Sequence, residues 1–157
     1  MLAIIWHSRT GGARAMAKAV ADGAGDAGRL IAAEAAGAED LAAAQGLVFV
    51  CPENLGAMSG LMKEMFDRCY YPLLGRIEGR AYATAIAAGS DGRGAQAQID
   101  RIATGWRLRR VAEPLIVDFA AQTPEAILLD KTLPEAGRQA CAELGAAMAE
   151  GLRLGIF

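Results

Sequence analysis

Leu2-Ala3-Ile4-Ile5-Trp6-His7-Ser8-Arg9-Thr10-Gly11-Gly12-Ala13 begins as an unbroken apolar run and ends in a short polar turn with two glycines. An apolar run without alternation describes a strand covered on both faces, the habit of parallel sheets. Beyond the turn, Ala13, Met16, Ala17, Val20 and Ala24 share one helical face, while Arg14, Lys18 and Asp22 line the other. Gly23, Gly25 and Gly28 are expected to end that helix. The start of a helix offers unpaired N–H groups and the positive end of a macrodipole, which suits an anion. Ser8 and Thr10 add hydroxyls, Gly11 and Gly12 allow close approach, and Arg9 supplies charge. The same residues also read as a plain strand-to-helix turn capped by Ser8 or Thr10.

The alternation continues along the chain. Leu30 to Ala33 reads as a short strand and Glu39 to Ala44 as a short helix. Leu47-Val48-Phe49-Val50-Cys51 is a second buried strand, expected to stop at Pro52. The loop Glu53–Gly60 leads into a helix from Leu61 to about Tyr70. There Leu61, Met65 and Cys69 are expected to share a face, and Lys63/Asp67 and Glu64/Arg68 are i,i+4 pairs. Tyr82 to Ala88 is a further strand, emptying into Gly89-Ser90-Asp91-Gly92-Arg93-Gly94. A helix with Ala95, Ile99, Ile102 and Trp106 follows, then a strand from Val111 to Phe119 bent by Pro114. Thr132-Leu133-Pro134-Glu135 fits a capping box for a last helix presenting Cys141, Leu144, Met148 and Leu152.

Strands that alternate with helices in this way predict an α/β fold, a three-layer α/β/α sandwich around a five-stranded parallel sheet. With strand order 2-1-3-4-5, the loops after strands one, three and four meet at the carboxyl edge, where such sheets bind ligands. No linker or repeat divides residues 1–157, so one domain is expected.

Composition excludes several function classes. The 157 residues carry 16 basic and 18 acidic side chains, a formal charge of −2. Arg107, Arg109 and Arg110 are the densest basic group, too few for nucleic acid. The three cysteines, Cys51, Cys69 and Cys141, are odd in number and form no CxxC pair, as expected of buried thiols in a reducing compartment. No apolar stretch approaches the ~20 residues of a membrane span, and no basic leader precedes the first strand, so a cytoplasmic location is expected. With His7 the only histidine, no metal cluster can be assembled. The chain has no GxxxxGK[ST], and no GxGxxG follows its first strand. Ala57 stands where a cysteine phosphatase built on Cys51 would need arginine.

Three segments carry a resemblance: Ser-x-Thr-Gly after strand one, Cys51-Pro-Glu-Asn-Leu-Gly-Ala-Met-Ser-Gly-Leu-Met-Lys-Glu-Met-Phe-Asp-Arg68 after strand three, and Gly89–Gly94 after strand four. Together they resemble the flavodoxin-like superfamily, in particular its NADPH-dependent FMN reductases and their NAD(P)H:quinone oxidoreductase relatives. The resemblance implies bound FMN at the carboxyl edge of the sheet, with NADPH or NADH as co-substrate. By that resemblance, Ser8, Arg9, Thr10, Gly11, Gly12 and Ala13 hold the phosphate. Pro52, Glu53, Asn54, Leu55 and Gly56 flank the flavin ring on one side, and Gly89, Ser90, Asp91, Gly92 and Arg93 approach from the other. It also implies a homodimer or homotetramer, with Tyr70 and Tyr71 as interface candidates. The chain departs from the family pattern at Gly12-Ala13, which lack the hydroxyl or amide that often ends the phosphate loop. It has no Trp or Tyr in either ring-facing loop, where Leu55 and Met58 could cover one face.

No residue is assigned a catalytic role. His7 reads first as a strand-end residue hydrogen-bonded to backbone, and second as an acid beside the phosphate loop. Glu53 reads as a solvated loop carboxylate or as a proton donor at the flavin edge; Asp91 and Arg93 as a local surface pair. Three functions stay open. The first is an FMN-dependent oxidoreductase that takes hydride from NAD(P)H and passes electrons to a quinone, flavin or similar small-molecule acceptor. The others are a flavodoxin-type electron carrier and a binding module without cofactor.

Overall fold

The computed structural model describes residues 1–157. Along the chain run β1 (Leu2–Trp6), α1 (Gly12–Ala24), β2 (Gly28–Ala32), α2 (Ala38–Ala43), β3 (Gly46–Asn54), β4 (Ala57–Met58), α3 (Gly60–Leu73) and β5 (Ala81–Ala88). Then follow α4 (Arg93–Gly105), β6 (Arg109–Arg110), β7 (Leu115–Asp118), α5 (Pro124–Leu128) and α6 (Glu135–Leu154). The parallel sheet has the order β2-β1-β3-β5, with β6 and β7 both laid along the outer side of β5. The expected order 2-1-3-4-5 holds, with the fifth position filled by two short pieces. β5 advances from Tyr82 to Ala85 while the edge chain advances from Arg110 to Leu115, so surplus residues, Pro114 among them, loop away from the sheet.

Strand alternation divides the core into two layers. Ala3, Ile5, Leu47, Phe49, Cys51, Tyr82 and Ile86 face α3 and α4. Leu2, Ile4, Val48, Val50, Ala81, Ala83, Ala85 and Ala87 face α1 and α6. The aromatic residues gather on the first side: Phe49 meets Phe66 at 4.9 Å, Phe66 meets Trp106 at 5.5 Å, and Trp106 stacks on Tyr70 at 5.7 Å. Trp106 Nε1–H donates to the Tyr70 carbonyl at 3.1 Å, so Tyr70 belongs to the core while Tyr71 is exposed. The second side is built from small residues, and its helices come close. A Cβ on Gly23 would overlap the backbone of Ala142, and one on Gly145 the carbonyl of Val20. Gly23 therefore lies inside α1 as a helix contact rather than ending it. The terminator is Gly25, whose φ of 57° is left-handed, and Gly28 is already the first residue of β2.

Other boundaries move for identifiable reasons. β3 continues through Pro52 to Asn54. The Val50 carbonyl accepts from His7 N–H at 3.0 Å, so two residues later the nitrogen of Pro52 faces the same side, where β1 has ended and no donor is needed. α3 buries Met62, Met65, Phe66, Cys69 and Leu73, leaving Leu61 exposed, because the arc is centred on Phe66 rather than Met65. Lys63–Asp67 and Glu64–Arg68 pair as expected, at 2.6 and 2.9 Å. The capping box at Thr132 does not form. Pro134 drives Leu133 out of helical geometry, and α6 begins at Glu135 with no side-chain cap.

Candidate functional site

Because the sheet is parallel, the segments after β1, β3, β5 and β7 emerge at one edge. They enclose a cleft of about 630 Å³. Of the residues expected there, Ser8, Arg9, Thr10, Gly12, Ala13, Pro52, Glu53, Asn54, Leu55, Gly56, Gly89 and Ser90 line it. Gly11 turns to a smaller neighbouring cavity. Asp91, Gly92 and Arg93 stand outside the lining. Asp91 and Arg93 pair with each other at 2.6 Å on the surface, the guanidinium holding the Asp91 carboxyl below its ordinary range.

The turn after β1 is held from within. Gly11, with φ of 92°, is the N-cap of α1, and its N–H donates to Ser8 Oγ at 3.1 Å. The first helical turn leaves its N–H groups without intrahelical acceptors. The side chains of Arg9, Thr10, Asn54 and Ser90 likewise have no hydrogen-bond partner within the chain. Gly12 has a packing reason to be glycine: a Cβ there would press on the ring of Phe119.

The second wall is a hairpin. Glu53 pairs with Met58 and Asn54 with Ala57, leaving Leu55-Gly56 as a two-residue turn. Both turn residues have positive φ, 54° and 73°, as a type I′ turn requires. Leu55 therefore sits fully exposed at the tip in a left-handed conformation, over the cleft. The hairpin is braced on α4. The Glu53 carboxylate accepts from Gly92 N–H at 2.9 Å and Ala95 N–H at 3.0 Å, and Met58 N–H donates to Gln98 Oε1 at 2.9 Å. Glu53 is neither a solvated loop residue nor a free acid. It caps the opposite loop, and Gly94 is small because the Gly56 carbonyl lies against it.

His7 and Ser59 join the first two walls. His7 Nδ1 lies 2.8 Å from Ser59 Oγ, both residues buried. The backbone bond expected for His7 is present, its N–H donating to the Val50 carbonyl, and the ring adds a side-chain partner, which explains why Ser59 occupies the N-cap of α3 without capping it. Burial holds the imidazole below its ordinary value; Arg9 pushes the same way and Glu34 against it. Nearby, burial pushes the Cys51 thiol up to about 12, so it stays an inert packing group. No cluster of three or more His, Cys, Asp or Glu side chains comes together.

The fourth wall has no counterpart among the residues expected from sequence. Phe119, Ala121, Ile127, Leu128 and Lys131 line the cleft from the segment after β7. Lys131 N–H donates to the Thr10 carbonyl at 2.7 Å, tying this segment to the turn after β1. The Lys131 ammonium caps α5 through the carbonyls of Ala126, Ile127 and Leu129 at 2.8, 3.0 and 2.5 Å. Ile127, Leu128 and Leu129 are exposed, and the first two line the cleft. The sequence signal was available: Ile127-Leu128-Leu129 is an apolar run in a segment with no strand or long helix to bury it.

The NADPH-dependent FMN reductase model matches residues 31–122, more than half of the chain. A flavodoxin of Aquifex aeolicus (strain VF5) is 30% identical over 156 residues, covering 94% of this chain and 84% of that protein. Among solved structures, the flavodoxin, WrbA-like protein from Agrobacterium tumefaciens superposes with a TM-score of 0.78 at 19% identity, covering 98% of this chain and 97% of the other. A flavodoxin from the domain Archaea gives 0.77 at 18% identity, covering 98% and 99%. This chain has the flavodoxin-like fold and belongs to the NADPH-dependent FMN reductase family.

Proposed function

We propose that the chain is an FMN-binding oxidoreductase that takes hydride from NADPH or NADH and passes electrons to a quinone, free flavin or similar small acceptor. One observation carries the reading: a single cleft offers partnerless polar groups at Arg9, Thr10, Asn54 and Ser90, beside apolar groups at Leu55, Leu128 and Phe119. Such a division suits a ligand with an anionic tail and a flat apolar ring, and the cleft volume lies within the ordinary range for small-molecule sites. The chemistry of the donors fits FMN. The turn after β1 would hold the phosphate through Ser8, Arg9, Thr10 and the N–H groups of Gly12 and Ala13. Pro52 to Gly56 would flank the ring on one side, and Gly89 and Ser90 on the other. Asp91, Gly92 and Arg93 would act indirectly, by receiving the Glu53 brace and closing their own loop. Leu55, Ile127 and Leu128 would exclude water where electron carriers use aromatic rings. Bound FMN would supply the hydride and electron transfer. Residues 1–157 would form one domain, since no linker or repeat divides them, in a cytoplasmic setting that suits three unpaired thiols; a homodimer or homotetramer is proposed on the strength of the family resemblance.

A flavodoxin-type carrier is the second reading, favoured by the Aquifex aeolicus relative that bears that name. The formal charge of −2 argues against it, since carriers use a strong one-sign field to steer partners. Titration of the purified chain with FMN tests both: flavin fluorescence quenching and thermal stabilisation at micromolar FMN are expected. Absence of both overturns the two readings. Anaerobic stopped-flow mixing with NADPH and with NADH then separates them, because a carrier is not reduced directly by either.

A further inference from the structure

The segment after β7 is fastened at both ends and unpacked between them. At its start the Ala120 N–H donates to Asp118 Oδ1 at 2.8 Å, and Ala120 takes a left-handed φ of 50°, turning the chain off the strand. The Ala121 N–H then donates to the Gly89 carbonyl at 2.9 Å, which ties this end to the loop after β5. The other end is Lys131, whose N–H donates to the Thr10 carbonyl in the turn after β1. Residues 122–130 thus run between two loops that line the cleft, and none of them is buried.

Within that span lies α5, five residues long with no buried face. A helix so short has little stability of its own in water, where isolated helices need roughly 12–15 residues. Two side chains hold it. Thr123 Oγ1 accepts from Ala126 N–H at 3.2 Å at the start, and the Lys131 ammonium closes the end. An ammonium has three protons to donate, and Lys131 has three carbonyls to receive them, those of Ala126, Ile127 and Leu129. A cation there also suits the negative end of the helix dipole. A lysine that lines the cleft beside the phosphate turn reads at first as a phosphate ligand. Its donors are engaged elsewhere, however, and what they hold in place is Ile127 and Leu128, which line the cleft while exposed to solvent. Exposed apolar side chains contribute nothing to folding; a flat apolar ring in the cleft would cover these two.

We propose that Lys131 is a positioning residue for the flavin ring: it holds α5 as a strap between Gly89 and Thr10, so that Ile127 and Leu128 close on the ring. It sets the affinity for the ring and not for the phosphate. The proposal rests on the flavin-binding reading above and assigns within it the residue that fixes the fourth wall.

Titrations with FMN and with riboflavin, which lacks the phosphate, separate the two roles open to a lysine at this place. Read by flavin fluorescence, Lys131→Met is expected to weaken both flavins about tenfold and to keep the ratio of their Kd values within about twofold of the parent. Its urea midpoint is expected to match the parent, since α5 buries nothing. Leu128→Ser, which trims the apolar face and leaves the lysine cap alone, is expected to weaken both flavins about threefold. Hydrogen exchange gives an independent readout: saturating FMN is expected to slow the Ile127 and Leu129 amides of the parent at least about fivefold. Loss of FMN affinity alone in Lys131→Met makes the lysine a phosphate ligand and overturns the proposal, with the flavin reading intact. So does unchanged affinity for both flavins, or a loss that accompanies a lower urea midpoint. If Lys131→Met does not fold, Leu128→Ser and the exchange measurement decide, and no change in either overturns the strap. Failure of the parent to bind either flavin overturns the strap and the flavin reading together.

Discussion

Glu53 accepts two backbone N–H groups from the loop opposite, so one carboxylate satisfies the start of α4 and spaces two walls of the cleft. Removing it leaves both donors facing a gap. Glu53→Ala is expected to destabilise the chain by about 1–2 kcal/mol in urea denaturation, a typical cost for a lost N-cap acceptor. It should also weaken FMN, since Leu55 and Gly56 lose their brace. His7 is the matching residue on the other wall. Burial lowers its folded pKa below the ordinary 6.5, so the unfolded chain takes up the proton first as pH falls. The His7 contribution is therefore complete above about 6.5 and is lost as pH falls through that value toward the folded pKa. His7→Asn, which keeps a polar atom near Ser59 but cannot titrate, should flatten the stability profile between pH 7.5 and 5.5. Denaturation midpoints across that range check it, and an unchanged slope would contradict the assignment.

Among the elements, the β3–β4 hairpin and the α1–α6 pair show opposite uses of glycine geometry. A two-residue type I′ turn favours Asn-Gly, yet this one is Leu55-Gly56, with an exposed leucine held at φ of 54°. A left-handed leucine costs roughly 1–2 kcal/mol, and full exposure returns nothing in folding. Its place over the cleft is the compensating feature. Leu55→Asn is thus expected to raise stability by up to about 1 kcal/mol while weakening FMN, a split that separate denaturation and binding measurements resolve. In α1 and α6 the reverse holds. Gly145→Ala gains about 1 kcal/mol of helix propensity on paper. The new methyl overlaps the Val20 carbonyl, however, and the expected net result is a loss of about 1–3 kcal/mol, read as a lower melting temperature.

The whole molecule can be interrogated through its thiols. Cys51, Cys69 and Cys141 are all buried, and they lie in both core layers. Burial pushes Cys51 up to about 12 and Cys141 up to about 11. Labelling with a disulfide reagent at pH 7.5 should therefore report opening of the fold rather than surface reactivity. FMN at about 100 times its Kd should slow that labelling about a hundredfold, the kinetic face of about 2.7 kcal/mol of ligand stabilisation. The whole molecule also shows what could be read in advance. The buried runs Leu2–Trp6 and Leu47–Cys51, the helical faces of α1 and α4, and the loops at the carboxyl edge follow from local periodicity, which each segment carries within itself. Three walls of the cleft were legible for that reason, the turn Ser8–Ala13 included. The fourth was not. Phe119 against Gly12, Lys131 on Thr10, Glu53 on α4 and His7 on Ser59 each join residues far apart along the chain, and no local pattern encodes such a meeting. Those contacts exist because a parallel sheet brings every carboxyl end to one edge, where tertiary packing, not periodicity, decides which side chains touch.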